Sequence, residues 1–237
     1  MARISIADEE PNLHLWIERL KDGEAQKRAL AVTVLGSLGP CAREAIPAIL
    51  EALADEAPEV RRMATAALGE VGTESRVAVP ALIRLLRDPV DTVRRRAVMA
   101  LADRGPAARP AAAILVQMLR TDKPVLRRWA AAALGEIGPR APAAIPALIE
   151  ALADDDVKHL AVIRAALGRM GNRAVPRLLD ALRHDDPRVR RQAALTLRKI
   201  PRRREIMPEL LELLRDPDEN VREAAFEVLR ALDFGEE

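Results

Sequence analysis

The chain has 237 residues, a formal net charge of +2 and only four aromatic residues. This near balance of charge provides no global field that would favour nucleic acid or an anionic membrane. Cys41 is the only cysteine, which excludes an intrachain disulfide framework. No apolar run reaches the roughly 18 residues of a membrane span, and residues 1–11 lack the apolar core of a signal peptide. We therefore expect a cytoplasmic protein.

A leucine recurs at nearly constant spacing along the whole chain. The seven positions are Leu35, Leu68, Leu101, Leu134, Leu167, Leu197 and Leu229, separated by steps of 33, 33, 33, 33, 30 and 32 residues. A fixed period in this range indicates a stack of repeats, each of which buries its apolar face against its neighbours. We call these residues the marker leucines.

The repeat beginning near residue 41 shows how one unit is built. Apolar residues across 46–53 recur at helical spacing and predict a first helix. Pro58 can occupy the first position of a second helix, whose apolar face runs over 60–71. Gly72 then provides a left-handed C-terminal stop. One unit is therefore predicted to be a pair of short antiparallel helices.

The same unit recurs from end to end and predicts one continuous domain over 1–237. Its seven repeats are approximately 12–40, 41–73, 74–106, 107–139, 140–172, 173–202 and 203–234. The predicted fold class is all-α, an α-solenoid with a right-handed superhelix of about seven antiparallel helix pairs.

The segments 46–53 (IPAILEAL) and 60–72 (VRRMATAALGEVG) resemble bacterial HEAT repeats, in the short form seen in phycobilisome-lyase-like proteins. Ankyrin repeats would need a Thr-Pro-Leu-His box, and tetratricopeptide repeats would need tyrosine, which this chain lacks. The period is shorter than the roughly 40–47 residues of long HEAT units. The resemblance implies a solenoid whose second helices line a concave surface. It implies no single activity.

An aspartate and an arginine also recur at fixed distances before the marker leucines. The aspartates are Asp22, Asp55, Asp88, Asp154 and Asp216, and the arginines are Arg28, Arg61, Arg94, Arg127, Arg190 and Arg222. We interpret them as a structural ladder between loop and helix, in which Arg94 would hold Asp88. The pattern fails at Thr121, Leu160 and His184. This predicts either a divergent repeat with ordinary packing or a bend in the stack.

The open face of the second helices combines large apolar side chains with arginine, which are enriched at the centres of protein interfaces. The predicted partner-binding residues are Arg62, Met63, Arg95, Arg96, Met99, Arg128 and Trp129. At about 100° per residue, Trp129 points roughly 140° away from Leu134. The alternative is that Trp129 packs against an adjacent helix and that the arginine stems merely cover apolar surface.

A second basic concentration lies between residues 173 and 204, a segment with a charge of +8. We predict a secondary basic patch, for phosphate or an acidic partner, formed by Arg191, Arg198, Lys199, Arg202, Arg203 and Arg204. The alternative is a solvated loop whose charge is incidental.

Catalytic chemistry finds little support in the sequence. The three histidines, at 14, 159 and 184, are far apart in the predicted stack, and no phosphate-binding glycine loop is present. We expect no catalytic residue, no metal site and no cofactor. The predicted function is a non-enzymatic scaffold that binds a protein, which could be acidic, on its concave surface. The alternatives are a bilin-lyase-type enzyme subunit and a binder of the nucleic-acid backbone through the arginine-rich faces. The scarcity of aromatics counts against stacking on single strands.

Overall fold

The computed structural model describes residues 12–200 and 203–233. Over these ranges every regular element is helical, with fourteen α-helices, six short 3-10 segments and no β-strand. Each predicted repeat contributes two α-helices. The all-α prediction is therefore confirmed, and the fold is an α-solenoid. The chain separates into two compact units, Met1–Ala100 and Leu101–Glu237.

The first unit holds three helix pairs. They are α1 (Leu13–Arg19) with α2 (Ala25–Ser37), α3 (Ile46–Ala52) with α4 (Pro58–Glu70), and α5 (Ser75–Leu85) with α6 (Asp91–Ala102), whose last two residues belong to the second unit. The second helices α2 and α4 pack against each other.

The second unit holds four helix pairs. They are α7 (Ala112–Thr121) with α8 (Pro124–Ile137), α9 (Ile145–Glu150) with α10 (Val157–Met170), α11 (Val175–Ala181) with α12 (Pro187–Leu197), and α13 (Arg203–Leu213) with α14 (Glu219–Asp233). Each second helix packs against the next, from α8 through α10 and α12 to α14. The open faces of these four helices therefore follow one another along this unit.

The marker leucines form the core, as predicted. Six of them have no exposed surface, and Leu229 is 9% exposed. Small residues between them let the helices approach closely. A Cβ added at Gly135 would lie only 2.9 Å from Cα of Ala166 on the neighbouring helix. Gly135 thus sets the close packing of α8 against α10.

Glycine ends the first five of the second helices, α2, α4, α6, α8 and α10, as the sequence predicted. Gly39, Gly72, Gly105, Gly138 and Gly171 have φ angles between 51° and 77°, and every positive φ in the described residues belongs to a glycine. This left-handed conformation is strained for residues that carry a Cβ. The repeated glycine therefore fixes where the chain leaves one repeat and enters the next.

Three of the recurrent arginines, Arg28, Arg61 and Arg190, form a bidentate ion pair with the aspartate of the following repeat. Arg61 donates from Nε to Oδ2 of Asp88 at 2.6 Å and from Nη2 to Oδ1 at 2.9 Å. Arg28 bonds Asp55 in the same way, at 2.7 and 2.9 Å. In the second unit Arg190 bonds Asp216 twice at 2.8 Å. We call this ion pair the inter-repeat rung.

The same guanidinium also holds the loop of its own repeat. Nη1 of Arg61 donates to the carbonyl oxygens of Asp55 at 2.8 Å and Glu56 at 3.0 Å. The Asp88 carboxylate accepts a further hydrogen bond from the Val90 backbone N–H. One arginine therefore ties together the loops of two successive repeats and satisfies backbone carbonyls that the helices leave unpaired.

The predicted pairing within one repeat is wrong. Arg94 donates to the backbone carbonyl of Asp88 at 3.0 Å and to the Asp91 carboxylate at 2.8 Å, whereas the Asp88 carboxylate is held by Arg61. The reason is geometric, because a helical side chain leans toward the N-terminus of its helix. One edge of the guanidinium then meets the loop of its own repeat, and the other edge faces the next repeat.

Two of the sequence irregularities are opposite ends of one missing rung. Leu160 occupies the arginine position, and His184 occupies the aspartate position that this arginine would bond. His159 instead contacts Asp154, with 2.9 Å between Nδ1 and Oδ2. Nδ1 of His184 accepts the Asp186 backbone N–H at 3.0 Å, as carboxylates do in other repeats.

The third irregularity, Thr121, donates its hydroxyl to the Gln117 carbonyl. A bend in the stack here stays a prediction.

We predict that Arg61→Ala lowers the free energy of unfolding by about 1.5–3 kcal/mol, the range for hydrogen bonds to charged groups. Arg62→Ala is the matched control, and it should change stability by less than about 0.5 kcal/mol because Arg62 lies outside the rung. Urea denaturation of both variants measures this. Equal losses in the two would contradict a structural role specific to the rung.

The rung also predicts an acid dependence. Hydrogen bonds from Arg190, which outweigh the opposing effect of burial, hold the pKa of the Asp216 carboxyl below its ordinary value. The unfolded chain has an aspartate pKa of about 3.9. The contribution of Asp216 to stability is therefore complete above that pH and is lost as the pH falls through the lower pKa of the folded state. Arg190→Gln should lose less stability than wild type between pH 7 and pH 2.5, whereas Arg191→Gln should match wild type. An unchanged acid loss in Arg190→Gln would refute this account.

Candidate protein-binding surface

Five of the predicted binding residues lie in the first unit. Arg62 and Met63 belong to α4, and Arg95, Arg96 and Met99 belong to α6. Arg95 is exposed and the other four are partly buried. The guanidinium groups of Arg62, Arg95 and Arg96 make no ion pair or hydrogen bond with another described residue. The prediction that these side chains lie outside the core is therefore consistent with the structure of this unit.

The other two, Arg128 and Trp129, lie on α8 in the second unit. Both side chains are partly buried, while Ala130, the next residue, has no exposed surface. The exposure of the Trp129 side chain is therefore intermediate between that of a core residue and that of a solvated residue. That the seven residues form one binding centre stays a prediction, because five belong to one unit and two to the other.

Neighbouring arginines on the second helices have different roles. Arg61 and Arg190 form inter-repeat rungs, while Arg62 and Arg191, one residue later, have no carboxylate partner among the described residues. Successive residues on a helix differ by about 100° in direction. The first arginine therefore turns toward the loops, and the second turns toward the open face, where its donors are available to a partner.

The secondary basic patch is described only in part. Arg191, Arg198 and Lys199 are exposed, and Arg198 pairs with Glu227 at 2.9 Å. Arg202 and the side chains of Arg203 and Arg204 lie outside the described residues. Arg191 has a different setting from the other two, because it lines a groove.

This groove lies in the second unit between α10, α12 and the start of α14, and it has a volume of about 430 Å³. We call it the α10–α12 groove. Its polar lining includes Arg164, Arg191, Gln192 and Asp218, and its apolar lining includes Leu160 and Leu195. Arg191 was predicted from the sequence as part of the basic patch, whereas Arg164 and Gln192 were not predicted. The available signal was Leu160, which replaces a rung arginine beside the groove.

Several polar atoms of the α10–α12 groove have no partner. Nε of Arg164 and Oε1 of Gln192 are buried and form no hydrogen bond, and the Gln192 residue is 7% exposed. Arg191 makes no ion pair within the described residues. By contrast, Arg188 pairs with Asp155 at 3.0 Å and with Asp186 at 2.8 Å. The groove thus contains both neutralised charges and unused donors.

A smaller cavity of about 310 Å³ lies in the same unit, beside α7 and the 3-10 segment Ala151–Ala153. It is lined by the ion pair of Arg120 with Glu150 and by His159, whose Nε2 atom is buried without a partner. The His159 side chain therefore has one nitrogen engaged by Asp154 and one unused.

The described residues contain no group of three or more His, Cys, Asp or Glu side chains arranged to hold a metal ion. Within the same ranges, no helix is both long enough and apolar enough to cross a membrane. Cys41 is exposed and has a free thiol.

The family model of HEAT repeats matches the chain at residues 13–102, 79–165 and 154–230. The chain belongs to the HEAT-repeat family. This confirms the resemblance inferred from the repeat. No curated protein matches the chain.

Solved structures support the same fold. One similar chain comes from the structure of the complex of CpcE and CpcF of phycocyanin lyase from Nostoc sp. PCC7120. The two sequences are 24% identical, and the match covers 98% of this chain and 98% of that chain with a TM-score of 0.57. The karyopherin Kap121p bound to the extreme C-terminus of the phosphatase Cdc14p is 16% identical with a TM-score of 0.71. The match covers 93% of this chain, which spans 29% of that one. A designed armadillo repeat protein in complex with the peptide (KR)4 is 17% identical, covering 93% and 99% with a TM-score of 0.56. These likenesses are to α-solenoids.

Proposed function

We propose that this protein is a non-enzymatic scaffold that binds a protein partner, acidic in character, on the open face of its second helices. The observation that carries the proposal is that neighbouring arginines differ in their bonding. Rung arginines are fully engaged in the fold, whereas Arg62, Arg95, Arg96 and Arg128 keep their donors unpaired beside Met63, Met99 and Trp129. Arginine and tryptophan are the side chains that dominate binding energy at protein interfaces.

The solenoid architecture supports this proposal. Each repeat contacts only its neighbours, so residues on the open face can differ between repeats without disturbing the core. Unpaired guanidinium groups can bond carboxylates with two parallel hydrogen bonds, which gives both attraction and orientation. Two of the similar solenoids were solved with a bound protein segment or peptide. An acidic partner suits the arginine row best.

A second candidate is a bilin-lyase-type enzyme subunit. It is favoured by the phycocyanin-lyase likeness, which extends over 98% of both chains. Titration of the purified chain with a linear tetrapyrrole, followed by its visible absorbance, tests this candidate. A saturable spectral change abolished by Trp129→Ala would favour the lyase-type function over the scaffold.

We predict that Trp129→Ala weakens capture of the native partner by at least about tenfold, because a partly buried tryptophan at an interface centre contributes on the order of 2 kcal/mol. Thermal unfolding should change little. Affinity capture from the native cell with quantitative mass spectrometry, comparing wild type and variant, measures the loss.

Trp16→Ala is the matched control. Trp16 is also partly buried, but it lies on α1 and is covered by the Arg19 guanidinium at 4.6 Å. This control should capture the partner as wild type does. If Trp129→Ala unfolds the chain without a separate binding defect, Trp129 is a core residue and the proposed surface is mistaken.

A further inference from the structure

The α10–α12 groove presents donors that the fold does not use. The Arg164 guanidinium has a buried Nε without an acceptor, and Arg191 extends from the next second helix without a carboxylate partner. A buried N–H without an acceptor is unfavourable unless something else supplies one. Two guanidinium groups on one groove match the paired oxygens of a carboxylate.

Gln192 provides an independent observation. It lines the groove together with the two arginines, the residue is 7% exposed, and its Oε1 atom has no donor. A carboxamide both donates and accepts hydrogen bonds. It can therefore bond the N–H and C=O of a peptide group.

The acidic residues of the groove do not neutralise these arginines. Asp154 is engaged by His159, and Asp155 by Arg188. Asp218 accepts the Val221 N–H at the start of α14. Among the charged side chains that line the groove, those of Arg164 and Arg191 make neither a hydrogen bond nor an ion pair with a described residue.

The overall charge of the groove distinguishes a peptide from a nucleic acid. Its lining holds three arginines and three aspartates, and this balance would repel a polyphosphate backbone about as much as attract it. Leu160 and Leu195 add apolar surface next to the arginines. A partner that suits all of these features offers one carboxylate, peptide groups and an aliphatic side chain.

We propose that the α10–α12 groove binds a peptide segment in which a glutamate or aspartate side chain lies next to an aliphatic residue. Arg164 and Arg191 bond the carboxylate, Gln192 bonds the adjacent peptide group, and Leu160 and Leu195 contact the aliphatic side chain. This proposal rests on the scaffold function and gives it a specific site and partner chemistry.

The test uses the full chain and a phage-displayed library of random twelve-residue peptides, whose C-termini are fused and therefore carry no free carboxylate. We expect the enriched peptides to contain Glu or Asp beside Leu, Ile or Val. The strongest enriched peptide is then synthesised as a fluorescent C-terminal amide, together with a version in which the acid is replaced by its amide. Fluorescence anisotropy measures binding to the wild type and to Arg164→Gln/Arg191→Gln.

Replacing the acid of the peptide should weaken binding to the wild type by about tenfold or more. It should weaken binding to the double variant by less than about twofold, because that variant has no guanidinium group at these positions to bond the carboxylate. Arg140→Gln, at an exposed arginine outside the groove, is the control and should bind both peptides as wild type does. Gln192→Leu should weaken both peptides equally. Circular dichroism checks that each variant is folded, and Arg164→Lys/Arg191→Lys replaces the double variant if it is not.

Three outcomes would overturn the proposal: no enriched peptide, enrichment of peptides without acids, or equal effects of the acid replacement on wild type and double variant. Binding of a labelled twenty-nucleotide DNA that depends on Arg164 and Arg191 would also overturn it, and would assign the groove to phosphate. The scaffold function is tested separately. It stands if Trp129→Ala still weakens partner capture by about tenfold or more when the groove variants have no effect.

Discussion

The bidentate ion pair between an arginine of one repeat and the aspartate of the next determines how the loops of neighbouring repeats are joined. Arg61 bonds the Asp88 carboxylate through two nitrogens and two backbone carbonyls through a third. These groups would otherwise be left unpaired at the helix ends, where burial without partners is costly. The marker leucines supply apolar burial between repeats, while the rung fixes the loops that connect their helices.

The rung also shapes the surface that remains for binding. Because one arginine in each pair is used by the fold, the next one, as at Arg62 and Arg191, is directed to the open face. Where the rung is absent, Leu160 replaces the guanidinium, and this leucine lines the α10–α12 groove. The groove is therefore found at the one position of the second unit where both ends of a rung are replaced.

Much of this fold could be predicted from the sequence, because the leucine period and the terminal glycines each have one structural meaning. The partner of each arginine could not be predicted in the same way. In a regular repeat every arginine has an aspartate six residues before it and another about 27 residues after it, so spacing alone does not distinguish the two. The direction of the arginine side chain determines which aspartate it bonds, so that Arg61 bonds the Asp88 carboxylate and not the Asp55 carboxylate. The groove was missed because the unpaired atoms of Arg164 and Gln192 depend on packing between α10 and α12, whereas the sequence showed only that Leu160 replaces a rung arginine.

The rung connects two repeats rather than two parts of one repeat. A pair of double-mutant cycles at Asp88 tests it most directly, using chemical denaturation of Arg61→Ala, Arg94→Ala, Asp88→Ala and the two double variants. The account predicts a coupling energy between Arg61 and Asp88 of about 1–3 kcal/mol, and one between Arg94 and Asp88 below about 0.5 kcal/mol, because Arg94 bonds only the backbone of Asp88. Equal couplings, or a larger coupling to Arg94, would contradict it.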